Sequence, residues 1–283
     1  MTALLNQPVW RVFDQTSLGT AFDGKQSFAI DDALCVSCGS GQSPAVARLW
    51  THDQTVMLGI QDTRLPYLDE GLRILRANGY RYVARNSGGL AVVLDNQVLN
   101  LSLIFSEKEQ ALSIDDTYEA MVLLIKEWLS IHHLSIQSGE IVHSYCPGRY
   151  DLSCDGRKFA GISQRRVKKG VAVQIYLCIG GSGAARAKLV RSFYKAGLQG
   201  MQTAFTFPDI HPEAMASLEE LIGRQLDVSQ LSAEILRVLA VHGSLCSVPL
   251  TANESQLFGY YYERMLRRNE KAFSSQNFHR PSE

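Results

Sequence analysis

The chain has 283 residues, 46% of them hydrophobic, enough to bury one large core or two small ones. Lysine plus arginine and aspartate plus glutamate each number 28, so the formal net charge is zero and there is no global basic field to hold nucleic acid. The opening MTALLNQPVWRVFD has no basic stretch leading into an apolar run, and no window approaches about 18 consecutive apolar residues, so neither a signal peptide nor a membrane span is expected and the cytoplasm is the default setting.

In chain order, Asp31-Asp32-Ala33-Leu34 reads as the start of a short helix ending near Gly39, followed by a turn-rich connection to Pro44. Strands are expected at about 45–51 and 56–60, then a helix over 67–78 with Gly79 as its C-cap. Residues 80–85, 91–95 and 98–105 read as three strands, the first two separated by a glycine turn. Ile114, Tyr118, Met121, Val122, Ile125 and Trp128 recur at helical spacing, and Ser113 suits the N-cap of that helix. Asp155-Gly156 is a two-residue hairpin signal between strands at 150–154 and 157–163, and 171–179 is a further strand. Helices then dominate, at about 184–196, 212–222, 229–241 and 254–271, before a polar tail. No repeat and no linker composition stands out, and the mixture gives an α+β chain with a large mixed sheet flanked by helices.

Three segments can carry chemistry. In Arg85-Asn86-Ser87-Gly88-Gly89-Leu90-Ala91-Val92 the glycine pair lets backbone approach a ligand, or serves a hairpin turn that needs positive φ. In Ser144-Tyr145-Cys146-Pro147-Gly148-Arg149-Tyr150-Asp151 a cysteine sits in a loop, open to nucleophilic work or simply a small buried hydrophobe. In Gly156-Arg157-Lys158-Phe159-Ala160-Gly161 a strand lysine can enter a pocket and stabilise a thiolate or an acyl oxygen, or stay solvated at a strand edge.

Other features read as structural. Cys35-Val36-Ser37-Cys38 is one CxxC pair, which cannot complete a tetrahedral zinc site, and is read as two packing cysteines on a helix. His132 and His133 close a helix and suit its dipole. Arg165, Arg166, Lys168 and Lys169 form a basic cluster that is either a solvated turn or a docking patch for an acidic partner.

The three segments, in this order, resemble the lipoate–protein ligase and octanoyltransferase superfamily, related to biotin–protein ligases. The resemblance runs from about Pro44 to Ser247. It implies a ligase-like catalytic domain over 45–248, preceded by an extension at 1–44 packed on it and followed by a C-terminal helix and tail at 249–283. Residues 85–92 look like the family's acyl-binding turn, Leu99-Asn100-Leu101-Ser102 like the strand after it, and 156–161 like the segment whose lysine faces the acyl carbonyl. Leu94 stands before Asp95 where many relatives carry a histidine, and Leu90 replaces a third glycine or a polar residue.

Cys146 directs the resemblance towards the transferases, because the ligases activate lipoate with ATP and need no cysteine there. The run Cys146 to Ser153 resembles the subgroup that takes octanoate from the lysine of glycine-cleavage H protein and gives it to lysines on lipoyl domains of 2-oxoacid dehydrogenases. The resemblance thus implies Cys146 and Lys158 as catalytic residues, and Arg85, Ser87, Gly88, Gly89, Ala91, Asn100 and Gly161 as substrate-binding ones. It implies no metal and no organic cofactor. A carrier-protein-dependent transferase and an ATP-dependent ligase are the alternative readings.

Overall fold

The computed structural model describes residues 4–19 and 22–274. The elements follow in the order β1 (Val9–Gln15), α1 (Gly24–Ser40), β2 (Ala45–Trp50), β3 (Thr55–Leu58), α2 (Leu68–Ala77), β4 (Arg81–Ala84), β5 (Val92–Leu94), β6 (Val98–Ser106), α3 (Ile114–Ser130), β7 (Gln137–Ser138), β8 (Leu152–Cys154), β9 (Arg157–Val167), β10 (Gly170–Cys178), α4 (Gly183–Leu198), α5 (Leu218–Ile222), α6 (Val228–Leu239), β11 (Ser244–Cys246) and α7 (Ala252–Phe273). Eight strands form one mixed sheet in the order β11-β1-β2-β6-β10-β9-β8-β7, and β4-β3-β5 form a small second sheet.

Every residue of β10 is buried, because helices cover both faces of the large sheet. Side chains alternate along a strand, so each face collects every second residue. Leu99, Leu101, Leu103 and Phe105 of β6 pack with the buried faces of α3 and α6. On the other face Ile104 and Ala172 pack with Ile30, Leu34, Cys35 and Cys38 of α1. The register aligns Tyr176 of β10 with Asn100 of β6 and Gly161 of β9, and Gln174 with Ser102 and Ser163. A polar patch is therefore built into the face that also carries α1.

Several expectations change. α1 begins at Gly24, capped by Asp23 in a capping box with Gln26, so Asp31 and Asp32 lie mid-helix and buried. Aspartate pairs look like helix starts, but tertiary partners hold these two: Arg48 bonds Asp31 at 2.8 Å and Arg165 bonds Asp32 at 2.9 Å. The latter bond and that of Arg166 with Glu107 pair the two arginines of the basic cluster, while Lys168 and Lys169 are exposed in a turn with positive φ. The residues before 45 also supply β1, a strand inside the large sheet.

The glycine segment is no hairpin. β4 and β5 flank β3 on opposite sides, β4 parallel and β5 antiparallel to it, so 85–91 crosses the strand end. The helix expected over 212–222 divides into a 3-10 turn at Pro212–Ala214 and α5, which Ser217 and Glu220 restart with a capping box. His132 and His133 close α3 as expected, their backbone N–H groups bonding the Leu129 and Ser130 carbonyls at 3.0 and 3.1 Å, and His132 Nε2 also meets Glu234 Oε2 at 3.0 Å. Asp155 and Gly156 both take positive φ, as their hairpin requires. The polar tail after residue 274 lies outside the described residues.

Candidate active site

A cleft opens between the small sheet, the Tyr176 face of the large sheet and the loop carrying Cys146. Phe28, Trp50, Met57, Val92, Leu94 and Ile175 give it apolar walls suited to an aliphatic chain. Arg85, Ser87, Gly88, Gly89 and Cys146 line it together, so the structure unites two segments that are some 60 residues apart in sequence, as the 61-residue separation of Arg85 and Cys146 records. Asn100 and Gly161 line it too. The Asn100 amide is bonded to the carbonyls of Trp50 and Val98, at 3.3 and 3.4 Å. Gly161 seats the Tyr176 ring, which a Cβ would meet at 2.6 Å. Ala91 does not line the cleft; it is buried in the core beneath.

The Cys146 sulfur accepts two N–H donors: the backbone of Leu90 at 3.1 Å and Arg85 Nη2 at 3.5 Å. Cys146 itself sits at φ 46°, a left-handed conformation that a non-glycine residue holds only when neighbours impose it. Gly89 makes the approach possible. Its φ is 101°, and a Cβ there would overlap Arg85 Nη2 and stand 2.9 Å from the sulfur. Arg85 Nε and Ser87 Oγ are buried and have no hydrogen-bond partner among the described residues. Buried polar atoms are nearly always bonded, so these two mark a place for a polar ligand group.

Lys158 is fully buried behind the loop. Its Nζ donates to the carbonyls of Tyr145 at 3.0 Å and Cys146 at 2.8 Å, and pairs with Asp151 at 2.9 Å. The expectation that this ammonium faces the sulfur or an acyl oxygen is not what the geometry gives; its donors point at the loop backbone. Asp151, which sequence reasoning did not single out, also accepts the Gly148 N–H at 3.0 Å. Burial pushes its carboxyl above the usual range, with the Lys158 charge pulling the other way. A second support lies under the glycine turn. Asp62 accepts the Gly59 N–H at 2.6 Å and the Tyr194 hydroxyl at 2.8 Å, and that hydroxyl accepts the Ala91 N–H at 3.3 Å. Desolvation raises the Asp62 pKa to about 6. No local sequence signal marks this network, because its members are brought together only by the fold.

His143, Asp209 and His211 bring ligand-type atoms within 4.8 Å of one another at the surface. The two rings are stacked, with centroids 4.0 Å apart and planes 12° off parallel. Parallel stacked imidazoles cannot both aim an in-plane lone pair at one ion about 2.0–2.1 Å away. Asp209 already bonds both rings, through its carbonyl to His143 and its carboxylate to His211, each at 3.1 Å. The cluster is thus satisfied as a hydrogen-bonded group.

The family described as "Lipoyl protein ligase A/B catalytic domain" matches residues 23–240, from the N-cap of α1 to the end of α6. The chain belongs to this family. It is 54% identical to an octanoyl-(GcvH):protein N-octanoyltransferase of Geobacillus kaustophilus, over 96% of this chain and 97% of that one. It is 48% identical to a lipoyl-(GcvH):protein N-lipoyltransferase of Listeria monocytogenes, over 96% of this chain and 98% of the other. A bipartite lipoate protein ligase of Thermoplasma acidophilum superposes with a TM-score of 0.69 at 18% identity, covering 96% and 98% of the two chains, which shows a shared fold. Within this family frame β1, β11 and α7 lie outside the matched span.

Proposed function

We propose that this chain moves an octanoyl group from the lysine of glycine-cleavage H protein to lysines on lipoyl domains of 2-oxoacid dehydrogenases, through a thioester on Cys146. The observation that carries the reading is the Cys146 sulfur, held by the glycine turn at an apolar cleft. The relatives named for transfer from GcvH supply the donor. The octanoyl chain lies along the apolar walls, and its carbonyl carbon reaches the sulfur. Cys146 attacks, a C–S bond forms, the C–N bond breaks, and the thiol proton ends on the departing lysine amine. The acceptor lysine then attacks the thioester and releases Cys146.

Donor and product are both amides, so the exchange is close to thermoneutral and needs no ATP. Neither a metal nor an organic cofactor enters. An amide is a poor acyl donor, and docking of the donor protein must supply positioning. Lys158 serves as a positioning residue: it fixes the carbonyls on either side of the nucleophile and anchors the loop through Asp151. The Listeria relative makes a lipoyl group the second candidate cargo. Among the described residues no helix is long and apolar enough to cross a membrane.

The test sets octanoylated H protein beside octanoyl–acyl carrier protein at equal concentration, without ATP, with an unmodified lipoyl domain as acceptor. The octanoylated H protein should be much the faster donor. A faster carrier-protein thioester would reassign the donor, and dependence on ATP would reassign the chain to the ligases.

A further inference from the structure

We propose that Arg85, together with the Leu90 N–H, is the electrostatic partner of the Cys146 sulfur and of the oxyanion formed on the acyl group. This deepens the thioester reading and rests on it. Two donors reach the sulfur, and one belongs to a guanidinium. The group is locked in place, because Arg85 Nη2 also donates to the Leu90 carbonyl at 2.6 Å and the Arg85 backbone N–H bonds Leu58 at 2.9 Å. Arg85 is only 7% exposed, and among the described residues it forms no ion pair; the Asp62 carboxyl under the glycine turn acts on it only through space, its hydrogen bonds going to Gly59 and Tyr194. Arg85 Nε is buried without a partner, as is Ser87 Oγ beside it. Lys158 offers the contrast, with acceptors already in place on the loop backbone and Asp151.

The chemistry follows from the charge. A sulfur anion gains more from an N–H donor and a nearby cation than a neutral thiol does. When the sulfur bonds to the acyl carbon and the carbonyl π bond opens, the charge passes from sulfur to the carbonyl oxygen two bonds away. A preorganised, partly desolvated guanidinium that already touches the sulfur stabilises that oxygen with little rearrangement. Gly89 is the structural condition for it, since a side chain there would displace both the guanidinium and the sulfur.

The experiment reads Cys146 directly, without any acyl donor. Iodoacetamide alkylation of the intact protein, followed by peptide mass mapping at Cys146, is compared in wild type, Arg85→Gln and Arg85→Lys at pH 7 and pH 10. Arg85→Gln should alkylate about tenfold more slowly at pH 7, the effect of one nearby charge, and the gap to wild type should close at pH 10. Arg85→Lys, which keeps the charge, should stay within about threefold of wild type. Thermal unfolding alongside shows that each variant is folded. Equal rates for Arg85→Gln and wild type at pH 7 would overturn the proposal. An equal loss in both variants would overturn it too, because shape rather than charge would then be the cause. Failure of octanoyl transfer in wild type, with the alkylation pattern intact, would instead strike the functional reading.

Discussion

Lys158 has its ammonium enclosed by two carbonyls and the Asp151 carboxylate, under the rings of Tyr145 and Tyr176 at 6.0 and 5.8 Å. Lys158→Met would leave the Asp151 charge buried and both carbonyls without their donor. Losing one partner of a buried pair costs about 3–5 kcal/mol, so urea unfolding should show a loss of that order together with a loss of transfer. A variant as stable as wild type but inactive would place the ammonium on the substrate instead of the loop. The sequence motif brought out Cys146, Arg85, Ser87, Gly88, Gly89, Asn100 and Gly161, all of which line one cleft. It could not say which cation meets the sulfur. Pattern fixes residue type and order, whereas a 3.5 Å contact between residues 85 and 146 depends on the crossing of two loops. Asp151 was within the quoted motif, yet its partnership with a lysine one strand away had no sign in local spacing.

Among the elements, the long apolar strands and the helices with clear periodicity were legible, because alternation and 3.6-residue spacing follow directly from burial on one side. The short strands β7 and β11 and the strand β1 were not, since β7 and β11 have three residues or fewer and β1 mixes buried and half-exposed positions. The glycine turn was read partly as a hairpin because two strands flank it; only the β4-β3-β5 order shows that it crosses β3. Its support by Asp62 has a pH signature. The folded Asp62 pKa of about 6 lies above the ordinary 3.8, so the fold holds the proton more tightly and this group's contribution to stability falls as pH rises from 3.8 to 6. His52, buried between Phe22 and Trp50, works the other way: its pKa is lowered from 6.5 to about 4, so its contribution is lost as pH falls from 6.5 to 4. The two largely offset each other in the wild type. Asp62→Asn removes only the first, so its urea midpoint should fall more steeply than that of wild type between pH 6.5 and 4. Parallel profiles would show that Asp62 is not held protonated by the fold.

Across the whole molecule, the small sheet, α1 and the Cys146 loop meet the large sheet at one cleft, and α7 ties this region to β1. Asn269 of α7 accepts the Ala84 N–H at 2.8 Å and donates to the Ala84 carbonyl at 3.2 Å, next to Arg85. Glu254, near the start of α7, pairs with Arg11 of β1 at 2.6 Å, in the buried interior. The same architecture separates the six cysteines. Burial pushes the Cys38 thiol up to about 12 and those of Cys35 and Cys178 upward as well, while Cys154 is buried in β8 and Cys246 sits on the edge strand β11. Cys146 is the one that lines the cleft. The central claim is that this sulfur carries the acyl group, and intact mass followed by peptide mapping after brief mixing with octanoylated H protein tests it most directly. One hydroxylamine-sensitive octanoyl group should appear on Cys146, absent from Cys146→Ala, and should leave when a lipoyl domain is added. Transfer to the lipoyl domain by Cys146→Ala at the wild-type rate, with no adduct on any cysteine, would contradict the account.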